Sequence, residues 1–138
     1  MNTKIFTTLP QDAKDIRIEV FMKEQGFENE FDEIDTISHH IVVFDEGKPI
    51  GTCRFFKENN HYTIGRVAVL KEYRNKHIGH LLLESAEKEI KKLNGDLIVV
   101  HAQVRVSLFY ENQGYIQFCQ IDDDEGVPHM WMKKKIQY

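Results

Sequence analysis

Apolar residues recur at helical spacing in three stretches of the chain. The stripe that follows Pro10, a residue suited to a first helical turn, predicts an amphipathic helix over residues 10–24. A longer stripe predicts a helix over residues 78–93, which ends at Asn94-Gly95. A third, shorter pattern predicts a helix over residues 104–113. Helices therefore separate the remaining apolar runs into groups.

Short apolar runs between turn residues predict strands. These runs are residues 40–44, 50–56, 62–70, 97–100, 115–121 and 127–133. The first three form a meander, and the last two form a hairpin around an acidic turn at residues 122–126. Because a helix lies between strands 62–70 and 97–100, we expect these two strands to be parallel and joined by a right-handed crossover. The expected architecture is a mixed α/β (α+β) sheet of six or seven strands with helices on its faces.

The size and charge of the chain exclude several classes of protein. Its 138 residues fit a single domain over residues 1–138, and 41% apolar with 29% charged residues is a globular composition. The net charge of -4 argues against a nucleic-acid partner, because such proteins carry a basic surplus that displaces phosphate counterions. No apolar run is long enough for a signal peptide or a bilayer span. We therefore expect a cytoplasmic protein without a membrane partner.

The cysteines and histidines form neither a disulfide pattern nor a metal pattern. Cys53 and Cys119 lie far apart in apolar surroundings, so we expect two buried, unpaired thiols. His39 and His40 are neighbours on a predicted strand and point to opposite faces, and no cysteine pair assists them. The sequence therefore predicts no metal site.

The segment from Lys71 to His80 concentrates positive charge between a predicted strand and the long predicted helix. It carries Lys71, Arg74 and Lys76 against one acid, Glu72, in an otherwise acidic protein. A helix start has unpaired backbone N–H groups and the positive end of the helix dipole, so phosphate binds there readily. Taken alone, however, the pattern favours the plainer interpretation of a solvated basic loop.

Two motifs in this part of the chain resemble those of the GCN5-related N-acetyltransferase (GNAT) superfamily. They are Arg74-x-x-His77-x-Gly79 and Phe109-Tyr110-Glu111-Asn112-Gln113-Gly114-Tyr115, and the resemblance covers residues 40–120. The further matches, which are similar to the ElaA/YjcF-like branch, are Glu24-Gln25-Gly26, Asp32-x-x-Asp35, His39-His40, Gly51-Thr52-Cys53-Arg54 and Gly65-Arg66-Val67-Ala68-Val69. The resemblance implies a mostly antiparallel sheet flanked by about four helices, with a β-α-β core that binds the cofactor.

The resemblance also implies acetyl-coenzyme A (acetyl-CoA) as co-substrate and no metal. Its pyrophosphate would lie on backbone amides at the start of the long helix, and its pantetheine arm would pair with a strand edge like an added strand. Gln103 either takes the place of a family asparagine that contacts this arm or caps the helix predicted from Val104. The residues placed on the cofactor are Val67, Ala68, Val69, Arg74, Asn75, Lys76, His77, Ile78, Gly79, His80 and Gln103.

This chain departs from the family pattern at Asn75 and His77, where relatives often or usually have glycine. A side chain at position 77 obstructs the pyrophosphate if the backbone there needs a glycine-only conformation. Alternatively, His77 points outward, leaves its N–H available and donates a ring hydrogen bond to phosphate. We favour the second interpretation, because Gly79, which we assign to the closest helix–strand contact, is retained.

Tyr110 matches the family's tyrosine near the thioester sulfur. A phenol is a weaker acid than a thiol by about 1.5 pKa units, so we expect Tyr110 to hydrogen-bond to the leaving sulfur and to give up its proton late. We expect the backbone N–H groups around Val67–Val69 to polarise the thioester carbonyl as an oxyanion develops.

The attacking amine must first lose a proton, which costs about 4.6 kcal/mol for a lysine-like amine at pH 7. The stretch from Glu24 to Asp35 carries six acids and no basic residue, which would attract a cationic amine but would also raise the pKa of that amine. For most of these acids individually, a solvated face is the simpler interpretation. The candidates for base or amine binding are Glu24, Glu28, Asp32, Asp35, His39 and His101.

The sequence therefore predicts an N-acetyltransferase that acts on a primary amine of a small molecule or a peptide by direct attack. The alternative from another class is a non-catalytic acyl-CoA-binding sensor or partner-binding protein. A third interpretation is a structural relative in which His77 has abolished cofactor binding. The sequence does not determine the oligomeric state, and a homodimer through a strand edge is compatible with it.

Overall fold

Eight strands and three α-helices make up the computed structural model, which describes all 138 residues. The strands are β1 (Asn2–Phe6), β2 (His39–Asp45), β3 (Lys48–Glu58), β4 (His61–Val69), β5 (Leu97–Gln103), β6 (Ile116–Gln117), β7 (Asp122–Asp124) and β8 (Val127–Lys135). The helices are α1 (Gln11–Arg17), continued by a π-helical segment over Ile18–Glu24, α2 (Ile78–Lys92) and α3 (Ser107–Asn112). Short 3₁₀ turns cover Glu33–Thr36, Lys71–Tyr73 and Val104–Val106.

The strands form one mixed sheet in the order β1-β2-β3-β4-β5-β8-β6, with β7 paired to β8. Every neighbouring pair is antiparallel except β4 and β5, which are parallel and joined through α2. The predicted fold class and the β-α-β core are therefore confirmed. The sheet has eight strands where six or seven were expected, and three α-helices flank it where about four were expected.

The two unexpected strands lie where the hydrophobic pattern is weak. Strand β1 has mostly exposed side chains and joins the sheet through its backbone pairing with β2. The acidic turn expected over residues 122–126 is wrong, because Asp122–Asp124 pairs with β8. The turn is reduced to Glu125 and Gly126, whose φ angles of 50° and 83° suit a two-residue hairpin. Backbone pairing here overrides the low strand propensity of aspartate.

Helix α2 packs its apolar stripe onto one face of the sheet. At Gly51 of β3 the helix lies so close that a Cβ atom would be 2.9 Å from Cγ2 of Ile78 and 3.3 Å from Cδ1 of Leu82. The prediction that Gly79 makes the closest helix–strand contact is therefore wrong. A Cβ atom at Gly79 would instead lie 3.1 Å from the ring of Phe109 on α3.

The two cysteines differ in their surroundings. Cys53 is buried in the main core, as expected, but Cys119 is exposed, so its predicted burial is wrong. The residue follows the two-residue edge strand β6, and its neighbour Phe118 is exposed as well. Apolar neighbours in sequence bury a thiol only where the fold covers them. None of the helices combines the length and the apolarity that crossing a bilayer requires.

Strands β4 and β5 separate soon after they pair. Their parallel ladder joins Tyr62–Ile64 to Ile98–Val100 and then stops. The register of β4 against β3 shifts at a bulge beside Arg66, whose φ angle is 50°. The stretch Val67–Val69 therefore has a strand on one side only, and its other edge faces a gap in the sheet.

Candidate active site

A cavity of about 930 Å³ occupies the gap between β4 and β5. It extends from the start of α2, along the open edge of β4, to the loop after the π-helical segment and the β7–β8 turn. This volume lies in the range of pockets that enclose a small-molecule ligand. Among the residues predicted to bind the cofactor, those that line it are Val67, Ala68, Val69, Arg74, Asn75, His77, Ile78, Gly79, His80 and Gln103.

The start of α2 presents backbone N–H groups that have no acceptor in the protein. The helical pattern begins at Leu81, whose N–H donates to the His77 carbonyl at 3.0 Å, and no side chain caps the helix. The N–H groups of His77, Ile78, Gly79 and His80 are therefore unpaired, and we call them the helix-start amides. Together with the helix dipole, such groups favour a bound anion.

Asn75 and His77 adopt the left-handed backbone conformation that glycine prefers. Both have a φ angle of 63°. Asparagine enters this region readily, whereas for other L-residues it costs about 1–2 kcal/mol. The conformation anticipated for glycine at position 77 is thus present, and His77 adopts it with an exposed side chain. The imidazole makes no hydrogen bond to the helix-start amides.

Arg74 lines the cavity, but its guanidinium group is already paired. It donates to the two carboxylate oxygens of Glu24 at 2.6 and 2.7 Å and to the Val69 carbonyl at 3.0 Å. The hydrogen bond from Arg74 lowers the pKa of Glu24, which lies outside the cavity. Lys76 also lies outside it, with its ammonium 5.4 Å from the centre of the Tyr73 ring. The positive side chains of Arg74 and Lys76 therefore already make contacts within the protein, whereas the helix-start amides have no hydrogen-bond acceptor there.

Gln103 lies at the end of β5, where the strand borders the cavity. Its side chain donates to Gln25 Oε1 at 2.9 Å and accepts from Arg105 Nε at 2.9 Å. It precedes the Val104–Val106 turn but makes no capping hydrogen bond, so the capping interpretation is wrong. The residue instead connects the cavity wall to the end of the π-helical segment.

The hydroxyl of Tyr110 is a free donor at the cavity wall. The residue is 8% exposed and lines the cavity, and its hydroxyl has no partner in the protein. It is not sealed off either, since the fully enclosed side-chain atoms without a partner are Arg54 Nε and Thr63 Oγ1. Burial raises the pKa of Tyr110, so the phenol keeps its proton at neutral pH.

The acidic segment folds onto three arginines. The Glu30 carboxylate accepts from Nε of Arg17 at 2.8 Å and forms an ion pair with Arg66 at 3.1 Å, and Nε of Arg66 donates to the Glu30 carbonyl. Asp35 accepts from Arg17 at 2.7 Å and from Arg54 at 2.9 Å. Asp32 accepts from Arg54 at 2.6 Å and from Arg66 at 3.3 Å. We call this group the arginine cluster: Arg17, Arg54, Arg66, Glu30, Asp32 and Asp35.

The arginine cluster holds Asp32 and Asp35 outside the cavity. Burial opposes the ionisation of Asp35, but its hydrogen bonds to Arg17 and Arg54 outweigh burial and lower the pKa of Asp35 to about 2. Glu28 lies outside the cavity too, and its backbone N–H donates to Glu125 at 3.0 Å. Of the six acids between residues 24 and 35, Glu30 lines the cavity; the candidates Glu24, Glu28, Asp32 and Asp35 do not.

The two histidines that the sequence singled out lie in different places. His39 stacks on Phe55, with ring centres 4.8 Å apart, and lies outside the cavity. His101 lines the cavity, with Nε2 2.8 Å from a carboxylate oxygen of Asp122 and its ring stacked on Trp131. No three His, Cys, Asp or Glu side chains are grouped so that they could hold a metal ion.

Comparison with known proteins agrees with this fold, in which β4 and β5 pair briefly and then separate. A family model described as "Acetyltransferase (GNAT) domain" matches residues 9–136. The chain belongs to the GNAT family. It is 34% identical over 127 residues to the uncharacterized N-acetyltransferase YjcF of Bacillus subtilis, which covers 90% of this chain and 91% of YjcF.

Solved GNAT structures have the same fold as this GNAT chain. The crystal structure of Escherichia coli ElaA superimposes with a TM-score of 0.88 at 21% identity, covering 97% of this chain and 99% of ElaA. An aminoglycoside 6'-N-acetyltransferase complexed with coenzyme A superimposes with a TM-score of 0.78 at 15% identity, covering 98% of this chain and 97% of that one. Together with YjcF, these matches confirm the predicted superfamily and its ElaA/YjcF-like branch.

Several cavity residues of this GNAT protein carry no signal in the sequence motifs. His129 reaches the cavity because β8 pairs with β5 in a register that sets it opposite Gln103. Phe27 and Asn29 reach it because the loop that carries them is anchored at Glu30 by two arginines. Long-range pairing decides both placements. The Asp32-x-x-Asp35 spacing is the local exception, since these two residues form a capping box.

Proposed function

We propose that this protein transfers the acetyl group of acetyl-CoA to a primary amine of a small molecule or peptide by direct attack of the amine on the thioester. The observation that carries the proposal is the set of helix-start amides beside the open edge of β4, both lining one cavity. These features suit an anion and an extended, amide-bearing chain, respectively. Acetyl-CoA contains both, as a pyrophosphate and a pantetheine arm.

The residues present fit this co-substrate. The helix-start amides would hold the pyrophosphate, with the exposed imidazole of His77 beside it, and Val67–Val69 would pair with the arm. His77 has the left-handed backbone conformation, an exposed side chain and an unpaired N–H, and the unpaired N–H supports a pyrophosphate at this position. A protein of the same fold, the aminoglycoside 6'-N-acetyltransferase, was solved with coenzyme A.

Tyr110 supplies the donor that the leaving group needs. Thioester cleavage places negative charge on sulfur, and a protonated phenol with no competing partner can donate a hydrogen bond to it. The raised pKa of Tyr110 makes full proton transfer later than hydrogen bonding. Backbone N–H groups along the open edge of β4 would stabilise the oxyanion in the same step.

The acceptor enters from the other end of the cavity. Phe27, Asn29, Glu30 and the β7–β8 turn line the same cavity as Tyr110, which supports an open path from the acceptor to the thioester. An open path supports an enzyme over the alternative of a non-catalytic sensor. We place the activity in the cytoplasm, where the two free thiols of Cys53 and Cys119 would stay reduced.

Calorimetric titration with acetyl-CoA tests the co-substrate site, and a matched pair of variants tests the amides. His80→Pro removes the imidazole and one helix-start N–H at a position where proline is tolerated, whereas His80→Ala removes the imidazole only. We expect His80→Pro to weaken binding about tenfold more than His80→Ala, since a charge-assisted hydrogen bond contributes about 1.5–3 kcal/mol. Equal affinities in the two variants, with helix content unchanged, would contradict the site.

Release of free thiol tests catalysis. Wild-type protein and acetyl-CoA are mixed with a polyamine, an amino sugar, a peptide amino terminus and a lysine peptide, and thiol is measured against reactions without protein. We expect release with at least one of these amines. Tight binding without release for any of them would support the sensor, and no binding would overturn both functions.

A further inference from the structure

His129 is a buried titratable group that the proposed chemistry has not yet used. It is 5% exposed, lies opposite Gln103 in the β5–β8 ladder and lines the same cavity as Tyr110. Its ring centre lies 4.7 Å from that of His101 and 6.5 Å from that of Phe27, at the acceptor end of the cavity. A histidine held in such a wall is well placed to move a proton.

The two ring nitrogens of His129 have different surroundings. Nδ1 lies 2.8 Å from the carbonyl oxygen of Val127, which can only accept, so Nδ1 carries the proton of the neutral ring. Nε2 then carries the lone pair and has no partner in the protein. It is also accessible, because it is absent from the fully enclosed atoms without a partner, Arg54 Nε and Thr63 Oγ1. His129 therefore presents an accessible proton acceptor at the cavity wall.

Two other titratable groups that line the cavity, His101 and Glu30, already make hydrogen bonds or ion pairs within the protein. Nε2 of His101 must donate to Asp122, because an ionised carboxylate only accepts. Glu30 is held by Arg17 and Arg66, so protonating it would leave two guanidinium groups beside a neutral acid. Protonating Glu30 would weaken ion pairs that the fold already makes, whereas His101 would take a proton at Nδ1, the ring nitrogen that does not face Asp122.

We propose, on the basis of the acetyl transfer proposed above, that Nε2 of His129 takes the proton that the acceptor ammonium must lose before it attacks. The neutral amine then forms the C–N bond as the C–S bond breaks. The amine nitrogen loses two protons on the way from ammonium to amide. His129 takes the first and releases it to solvent, and the second converts the departing thiolate into free thiol, which Tyr110 hydrogen-bonds.

The pH dependence of this step has a definite sign. Protonated His129 has no lone pair to offer, so the rate rises with pH as its ring becomes neutral. The charged and titratable groups around it are His101 on β5, Asp122 and Asp124 on β7, and Glu125 in the β7–β8 turn.

The kinetic test compares His129→Gln with the wild type on two acceptors. One is the alkylamine of the panel that releases most thiol; the other is its β,β-difluorinated analogue, whose amine has a much lower pKa and so a large neutral fraction at pH 7. For the alkylamine, we expect kcat/KM to fall about 100-fold and to lose its lower pH inflection, as loss of a general base predicts. For the fluorinated amine, we expect a change below about threefold, since it needs no base.

Two controls separate this role from a structural one. His61→Gln changes a histidine outside the cavity, and we expect its pH profile to match the wild type. Calorimetry with acetyl-CoA should give the same affinity for His129→Gln and wild type. Equal losses on both amines, or a retained lower inflection in an active His129→Gln protein, would overturn the role of His129 and leave acetyl transfer standing.

Nitrogen-15 NMR of the histidine rings tests the proposal without turnover. We expect His129 to be protonated at Nδ1 and unprotonated at Nε2 when neutral, and to titrate reversibly on lowering the pH. A proton on Nε2 in the neutral ring, or no titration, would overturn the proposal even in an active enzyme. Absence of thiol release from the wild type with every amine would overturn acetyl transfer and, with it, this role.

Discussion

The start of α2 and the arginine cluster are both rich in polar groups, but they differ in how these groups are paired. The helix-start amides have no acceptor in the protein and line a cavity. The three guanidinium groups and three carboxylates of the arginine cluster bind one another, mostly in the interior. Paired groups hold a fold together, whereas unpaired groups at a cavity are available to a ligand. Charge in a sequence does not by itself distinguish the two.

The arginine cluster also has a positioning effect. Arg17 lies on α1, Arg54 on β3 and Arg66 on β4, and all three bind the segment from Glu30 to Asp35. Because this segment follows the loop at the acceptor end of the cavity, the cluster fixes that loop to the sheet. By binding the arginines, the acids thus help to position the loop that lines the acceptor end of the cavity.

The largest expected effect comes from breaking the arginine cluster at its most buried member. Arg17→Met leaves Glu30 and Asp35 buried with less positive charge, and we expect the free energy of unfolding to fall by about 3–5 kcal/mol. Urea denaturation measures this. Lys23→Met, which removes an exposed pair with Glu19, is the matched control and should cost less than about 0.5 kcal/mol. A similar small loss for Arg17→Met would mean that the cluster is not structural.

Removing the free hydroxyl at the cavity tests the other side of the comparison. We expect Tyr110→Phe to lower kcat about 100-fold with little change in the KM for acetyl-CoA, since the hydroxyl acts on the leaving sulfur. Tyr115→Phe is the control, because Tyr115 donates to Glu87 at 2.8 Å outside the cavity. It should lose stability and keep its turnover. Unchanged turnover in Tyr110→Phe would contradict the assignment.

The free energy of unfolding, measured as the pH is lowered, should reveal the ion pairs of Asp35. Its pKa is lowered from 3.8 to about 2 on folding, so its contribution is fully present above pH 4 and is lost as the pH falls towards 2. We expect the stability difference between wild type and Asp35→Asn to shrink by on the order of 2 kcal/mol over this range. Glu30 contributes to the pH dependence of stability in the opposite direction. Burial raises its pKa, so its ionisation opposes folding as the pH rises. A difference that stays constant down to pH 2 would contradict the pairing.

Substitutions at His77, the left-handed residue before α2, should have a smaller effect on stability. His77→Gly removes the strain of a side chain at φ 63° but adds entropy to the unfolded chain, so we expect a gain in stability of no more than about 1 kcal/mol. His77→Val, with a β-branched side chain in the same conformation, should be less stable than wild type by thermal unfolding. Equal stability of the His77→Val and His77→Gly proteins would contradict the left-handed conformation at this position.

The smallest expected effect is at the exposed ion pair beside the cavity. Glu24→Gln frees Arg74, and because both side chains are about one-third exposed we expect a loss below about 1 kcal/mol in urea denaturation. A loss as large as that of Arg17→Met would erase the contrast between the exposed pair and the buried cluster.

Much of the cofactor end could be predicted from the sequence because it is built locally. A strand, a turn and a helix that follow one another place residues 67–80 together whatever surrounds them, and the glycine pattern located the left-handed positions at Asn75 and His77. The acceptor end could not be predicted in the same way. Whether Asp35 faces a substrate or an arginine depends on Arg17 and Arg54, which are far away in the chain.

The sequence by itself determined the family, the order of most strands and helices, and the stretch of backbone at the start of α2, because hydrophobic period and turn residues act over short distances. The tertiary structure decided which polar groups stay unpaired. It set the point at which β4 and β5 separate, the register that brings His129 to the cavity and the ion pairs between the acids and the arginines. Pairing depends on distance in space, and a one-dimensional pattern contains no such distances.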